Sequence, residues 1–153
     1  MRLTIKDAQD LARETLIRIG YRKEELASPV AHIIDSEMRG LGYAGLARIV
    51  SIAERHGSYG PPAQGMRVVR ETPVSALVEG QDQLGYIVGQ KVTDLAIAKA
   101  SASGLALVGG SDTWYTGMLS FYAEQICAVS VRFPRSDGVM ECLLDVHHRK
   151  WTS

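Results

Sequence analysis

Cysteine is scarce in this chain of 153 residues, with only Cys127 and Cys142 present. Two thiols in a chain of this size do not make a disulfide framework, so a hydrophobic core has to hold the fold, and a reducing cytoplasm is the expected setting. An excess of either charge is also missing. Lysine plus arginine and aspartate plus glutamate each number 17. A nucleic-acid footprint needs surplus positive charge, so no nucleic-acid partner is expected, and neutrality gives no reason to expect a membrane surface. No run of about 18 apolar residues occurs, as a bilayer-spanning helix would require. The opening Met1-Arg2-Leu3-Thr4-Ile5-Lys6-Asp7 turns polar too early for a secretory signal. What is present is ordinary for a globular domain with its own core: 46% apolar and 22% charged residues.

The chain reads as helices first, then strands alternating with helices, which places it in the α/β class behind an N-terminal helical bundle. Thr4 and Asp7 have the spacing of a capping box, and Leu11, Leu16 and Ile19 supply apolar contacts before Gly20. A second helix is expected from about Lys23 to Arg39. A third is expected to begin near Tyr43 and to end before His56-Gly57. Ser58-Tyr59-Gly60-Pro61-Pro62 is a break, because two prolines remove two backbone donors. Valine-rich strands are expected at Arg67–Glu71 and Ser75–Glu79, a long helix from Gly85 to about Ser103, and a short buried strand at Leu105–Val108. Gly109 to Thr113 reads as a loop, Met118 to about Ile126 as a helix, and Val129–Phe133 as a strand. Three regions follow: helical (1–57), α/β (58–133) and a divergent polar tail (134–153).

Residues 35–48, Asp-Ser-Glu-Met-Arg-Gly-Leu-Gly-Tyr-Ala-Gly-Leu-Ala-Arg, are the most informative stretch. Gly40, Gly42 and Gly45 spell G-x-G-x-x-G, the pattern of a dinucleotide-phosphate loop. Such a loop must follow a buried strand and open a helix. Here Ala27, Ala31, Ile34 and Met38 recur at spacings of four, three and four, a helical stripe that Val30 and Ile33 widen. Gly40 then reads as the left-handed residue that ends a helix.

The same residues resemble the D-x-x-x-R-G-x-x-S-H-G-x-x-R signature of the malate/L-lactate dehydrogenase family, which does not use the usual Rossmann domain. Val69-Arg70-Glu71-Thr72-Pro73 and Leu84-Gly85 also look like the family's N-terminal portion. Gly110 to Gly117 with Tyr122-Ala123-Glu124 resembles its second motif, N-S-x-H-F-G leading to Y-Y-A-E. The likeness runs from about residue 3 to 128. Both motif histidines are replaced: Ala44 stands in the first and Thr113 in the second. Family members are more than twice as long, so the expected fold is an incomplete version of theirs. After about Cys127 the chain stops resembling them, and Phe133 to Gly138 and His147-His148-Arg149-Lys150 have no counterpart. A truncated or frameshifted gene and a genuine short protein are both compatible with that ending.

The resemblance implies a 2-oxo or 2-hydroxy acid as small-molecule substrate, NAD or NADP as cofactor, and a homodimer. Reducing a 2-oxo acid needs a cation for the carboxylate, a proton donor at the keto oxygen and a nicotinamide against the carbon. Arginine suits the first task because its planar fork pairs with a carboxylate, and Arg48 occupies the family's arginine position. Positions 44 and 48 would share a face in a helix. Histidine suits the second task, and alanine cannot donate a proton. Tyr43, Thr113 and Tyr115 are the catalytic candidates left to orient the keto oxygen or relay through water, with Trp114 beside Arg48 in substrate binding. Cofactor-binding residues are not readable. A second reading is a catalytically inactive remnant that binds no cofactor and acts as an oligomerising domain.

No metal site is expected. Cys142, Asp145, His147 and His148 have poor ligand spacing, and adjacent histidines diverge on most backbones. His32, among apolar residues, reads as structural. His56 reads as a helix C-terminal residue favoured by the dipole, and Cys127 as a small buried hydrophobe.

Overall fold

A computed structural model describes residues 3–60, 65–130 and 142–146. The chain divides into two compact units, Met1–Ala63 and Gln64–Ser153.

The first unit is helical: α1 (Ile5–Ile19), a single 3-10 turn (Lys23–Glu25), α2 (Ala27–Met38) and α3 (Arg48–Tyr59). Thr4 starts α1 as its spacing predicts, with Oγ1 accepting the Asp7 amide at 3.1 Å. Gly20 ends it at φ 117°, a left-handed conformation that costs glycine nothing. Ala8, Ala12 and Leu16 repeat every four residues and form its buried stripe. α1 packs on α2 and α3, and Leu26, Val30, Ile33, Ile34, Ile49 and Ile52 complete the unit's core.

Two expectations shift here. The second helix splits, because Lys23–Glu25 closes as a separate 3-10 turn before α2 begins. The third helix starts at Arg48, not near Tyr43, because residues 41–47 wind into tight turns: the Ala44 amide bonds Leu41 O at 2.8 Å and the Arg48 amide bonds Gly45 O at 2.9 Å. It then runs through His56-Gly57 and ends at Gly60, φ 95°. A glycine inside a helix costs only about 1 kcal/mol, so Gly57 does not stop it.

His32 is fully buried on α2, as expected of a structural histidine. Burial pushes its pKa down to about 4, against an opposing pull from Asp35. In the unfolded chain histidine titrates near 6.5. Above that value both states are neutral and the fold keeps its full stability. As pH falls from about 6.5 towards about 4 the unfolded chain takes up the proton first, and stability is lost. We expect roughly 1 kcal/mol of loss between pH 7 and 5 after solvent screening. Thermal melts of the parent and His32→Gln across that range check this; an equal slope in both would remove His32 as the cause.

The second unit is a four-stranded sheet in the order β1 (Arg67–Glu71), β2 (Ser75–Leu84), β3 (Ala106–Trp114), β4 (Cys142–Val146). β1 pairs antiparallel with β2, while β2–β3 and β3–β4 are parallel. The parallel β2–β3 pair needs a crossover, supplied by α4 (Gly85–Ser103), and α5 (Leu119–Ser130) packs on α4. The core lies between one sheet face and α4: Ala76, Val78 and Val108 meet Val88, Val92 and Ala96. Lys99 ties α4 to the β1–β2 turn, donating to Glu71 Oε1 at 2.9 Å and Thr72 O at 2.7 Å.

The strands run longer than their sequence suggests. Gly109 to Thr113, expected as a loop, continues β3 to Trp114. The reason is packing: a Cβ on Gly110 would lie 3.2 Å from both Val88 and Val92, so glycine lets α4 sit close. α5 continues through Val129 and Ser130, where a strand was expected; 131–133 lie outside the described residues. Cys127 is exposed, not buried. It sits five residues after Tyr122, which faces the core, and five residues turn a helix well past the buried side. β4 forms inside the region read as polar tail, in register with Ala106–Gly110.

Candidate functional site

The 35–48 segment begins as a helix end. Gly40 adopts φ 77°, its amide bonds Glu37 O at 3.0 Å, and the Leu41 amide bonds Ser36 O at 2.9 Å. This is a complete left-handed helix stop, so a helix and not a strand precedes the glycines. The third glycine has its own reason. Glu37 reaches back from the last turn of α2, and its Oε2 accepts the Leu46 amide at 2.9 Å. A Cβ on Gly45 would fall on that carboxylate. On the same helix end, Arg39 pairs with Asp35, Nε to Oδ2 at 2.9 Å.

The turn so formed presents Tyr43 at 72% exposure and buries Ala44 to 6%. Arg48 is half-buried at the first residue of α3. Ala44 lies in the turn and not in α3, so the two positions are related by turn geometry, not by one helix face.

The other candidates lie in the second unit, at the carboxyl ends of β2 and β3. The register of this parallel pair breaks between Glu79 and Gln83. Four non-glycine residues there have left-handed backbones: Gln81 (φ 52°), Asp82 (60°), Asp112 (53°) and Tyr115 (52°). Such conformations cost on the order of 1 kcal/mol each and persist only where neighbours hold them. Thr113 and Trp114 do the holding. Thr113 Oγ1 donates to Gln83 O at 2.8 Å, and Trp114 Nε1 donates to Asp82 O at 2.8 Å. These bonds give the Asp82 and Gln83 carbonyls side-chain donors at the register break.

That use limits the chemistry. The Thr113 hydroxyl spends its proton on Gln83, leaving lone pairs to accept. Trp114 has one polar hydrogen and spends it on Asp82. Its ring meets Tyr115 edge-on, with centroids 5.2 Å apart and planes at 65°. Tyr115 is exposed. Behind the segment, buried Tyr122 donates to Thr116 O at 2.9 Å, and burial pushes its phenol pKa up, so it stays a donor.

Thus Tyr43 and Arg48 belong to the first unit, and Thr113, Trp114 and Tyr115 to the second. Sequence reasoning missed Glu37, whose partner is nine residues away, and the clamp on Asp82 and Gln83, whose donors are about 30 residues away. Among the described residues no group of three or more His, Cys, Asp and Glu side chains could hold a metal ion. Cys142 and Asp145 fall on β4, and His147 and His148 lie outside the described residues. Among the described residues no helix is long and apolar enough to cross a membrane.

A dinucleotide needs backbone donors free to face its phosphates. At α3 the Leu46 amide is taken by Glu37, whose charge opposes a phosphate. At α4 the first residue, Gly85, is covered: a Cβ there would lie 2.7 Å from Thr116 N and 2.8 Å from Trp114 O. Neither glycine-bearing helix start fits a pyrophosphate.

A sequence model described as malate/L-lactate dehydrogenase matches residues 3–130. The L-sulfolactate dehydrogenase of Methanocaldococcus jannaschii is 26% identical over 126 residues, which cover 81% of this chain and 36% of that protein. The NAD(+) ureidoglycolate dehydrogenase of Escherichia coli is 25% identical, over 82% of this chain and 36% of its own length. The solved structure of the malate dehydrogenase from Pyrococcus horikoshii superposes with a TM-score of 0.77 at 25% identity, covering 82% of this chain and 36% of that one. This chain therefore spans little more than a third of the length of the curated relatives it matches.

Proposed function

We propose a function from one premise: this chain belongs to the malate/L-lactate dehydrogenase family. It is the carboxylate-binding portion of an oxidoreductase acting on 2-oxo or 2-hydroxy acids. Malate, sulfolactate and ureidoglycolate, the compounds named in its relatives, each carry a carboxylate beside a hydroxyl-bearing carbon. Arg48 binds that carboxylate. The observation that carries this is its place: Arg48 is half-buried on the first residue of α3, and its planar fork suits a carboxylate. Exposed Tyr43 stands in the turn before α3 and orients the substrate oxygen. In the second unit, described by itself, Trp114 and Tyr115 present an edge-on ring pair and Thr113 an acceptor, the residues that the family's second motif would put to use.

NAD or NADP is the hydride carrier by family. Neither glycine-bearing helix start seats its phosphates, so no hydride step is assigned to these residues. None of Tyr43, Thr113 and Tyr115 belongs to a residue type that exchanges protons readily at neutral pH, so turnover by this chain is expected to be slow. A homodimer is the assembly we expect in solution.

The test is titration of the 15N-labelled chain with L-malate, with Arg48→Ala beside it. Charge-assisted hydrogen bonds are worth about 1.5–3 kcal/mol, so Arg48→Ala should weaken binding roughly tenfold or more. Equal affinity in the two would remove Arg48 from the site. Titration with NADH and NADPH, following Trp114 and Trp151 fluorescence, reads the cofactor separately. A second reading, a non-catalytic oligomerising chain, is favoured by the Thr113 bond to Gln83, and cofactor titrations without saturation up to millimolar would support it.

A further inference from the structure

We propose that Glu37 is the positioning residue for Arg48, a role that rests on Arg48 binding the substrate carboxylate. Three observations meet at this side chain. Glu37 stands in the last turn of α2, and its Oε2 accepts the Leu46 amide at 2.9 Å, two residues before Arg48. Gly45 leaves the space the carboxylate fills, since a Cβ there would fall on it. α3 has no side-chain cap from its own N-cap residue, Ala47, so the carboxylate of the preceding helix supplies an acceptor at this end.

The consequence is geometric. Beyond the Leu41 amide on Ser36 O at 2.9 Å, which ends α2, the backbone bonds of residues 41–47 are short-range turn bonds: Ala44 and Gly45 amides to Leu41 O, at 2.8 and 3.0 Å, and Arg48 to Gly45 O at 2.9 Å. The Leu41 bond fixes where the segment leaves α2, and the turn bonds fix its local shape; neither joins the start of α3 to α2. The Glu37 bond crosses the turn and sets that direction. The first turn of α3, with Arg48 on it, is thereby registered against α2. A charged acceptor makes the stronger bond, and its negative charge at a helix start is favourable.

The experiment uses the full 15N-labelled chain with Glu37→Ala, Glu37→Gln, Gly45→Ala and the double variant Glu37→Ala/Gly45→Ala. Gly45 has no left-handed backbone requirement, so Gly45→Ala displaces the flexible carboxylate without straining the main chain. In the parent, the Leu46 amide resonance should follow the ionisation of a carboxyl group, and in Glu37→Gln it should not. Glu37→Ala and Gly45→Ala should each weaken L-malate binding roughly fivefold to tenfold, and the double variant should be no weaker than either. Glu37→Gln, which keeps an acceptor, should recover most of the affinity. A merely structural role would lower the melting temperature of all variants without this rescue pattern. Parent-like malate binding in Glu37→Ala, together with its loss in Arg48→Ala, would overturn the proposal and leave the substrate reading intact. If the parent binds no malate, the substrate reading fails, and heteronuclear NOEs of the Leu41–Arg48 amides decide the positioning claim. A drop confined to that segment in Glu37→Ala supports it, and unchanged values overturn it.

Discussion

Gly85→Ala should lower the melting temperature of this protein by roughly 6–12 °C, the equivalent of about 3 kcal/mol in a chain of this size. The added Cβ would lie 2.7 Å from Thr116 N, 2.8 Å from Thr116 Cα and 2.8 Å from Trp114 O. All three are backbone atoms, and none can swing aside as a side chain would. Relief requires the end of β3 to move off the start of α4. That motion pulls on the bonds from Thr113 to Gln83 and from Trp114 to Asp82, which hold the left-handed residues in place. Gly42→Ala is the matched control, because a Cβ there meets no atom within 4 Å. It should change stability by less than about 0.5 kcal/mol. Thermal melts followed by tryptophan fluorescence separate the two. A Gly85→Ala protein that melts with the parent would mean that the β3 end yields freely.

Replacing Tyr122 should be nearly as damaging. Its side chain is fully buried, and its ring packs so closely on α4 that a Cβ on Gly89 would lie 2.7 Å from Cζ and from the hydroxyl. Tyr122→Ala removes the ring and leaves a cavity, for an expected loss of about 3–5 kcal/mol. Tyr122→Phe keeps the ring and removes the hydroxyl with its bond to Thr116 O, for about 1 kcal/mol. Urea denaturation of the three proteins should give that order. Equal losses for Phe and Ala would assign the stability to the hydrogen bond and not to packing. The same bond pins Thr116, so both variants should also loosen the Thr113–Gly117 segment, seen as faster amide exchange there.

The local parts of the fold are legible in the sequence. The Thr4–Asp7 cap, the Gly40 helix stop and the full extent of α4 follow from residues within one or two helical turns of each other. The order of the two motifs was legible for a different reason: spacing along the chain is itself sequence, and it gave the family. Errors came where a tertiary partner set the outcome. The expected β3 strand stops at Val108 because Gly109 and Gly110 read as a break, when Gly110 admits α4. Cys127 read as buried by residue type, but its angular position on α5 turns it to solvent.

The candidate site divides along the same line. By resemblance alone, the sequence puts Arg48, Tyr43 and the Thr113–Tyr115 segment within the two family motifs, with Ala44 and Thr113 where those motifs carry histidine. It also determined that the glycine triplet follows a helix, which removes the dinucleotide-loop reading. Only the tertiary structure decided what those residues do with their hydrogens. Thr113 and Trp114 spend theirs on carbonyls 30 and 32 residues away, and Glu37 spends its carboxylate on an amide nine residues away. Caps and stops are written in neighbouring residues because helical turns bring only neighbours together. Bonds across a register break or between a helix and the following turn depend on where the packed core puts the backbone, and no local pattern in the chain encodes that.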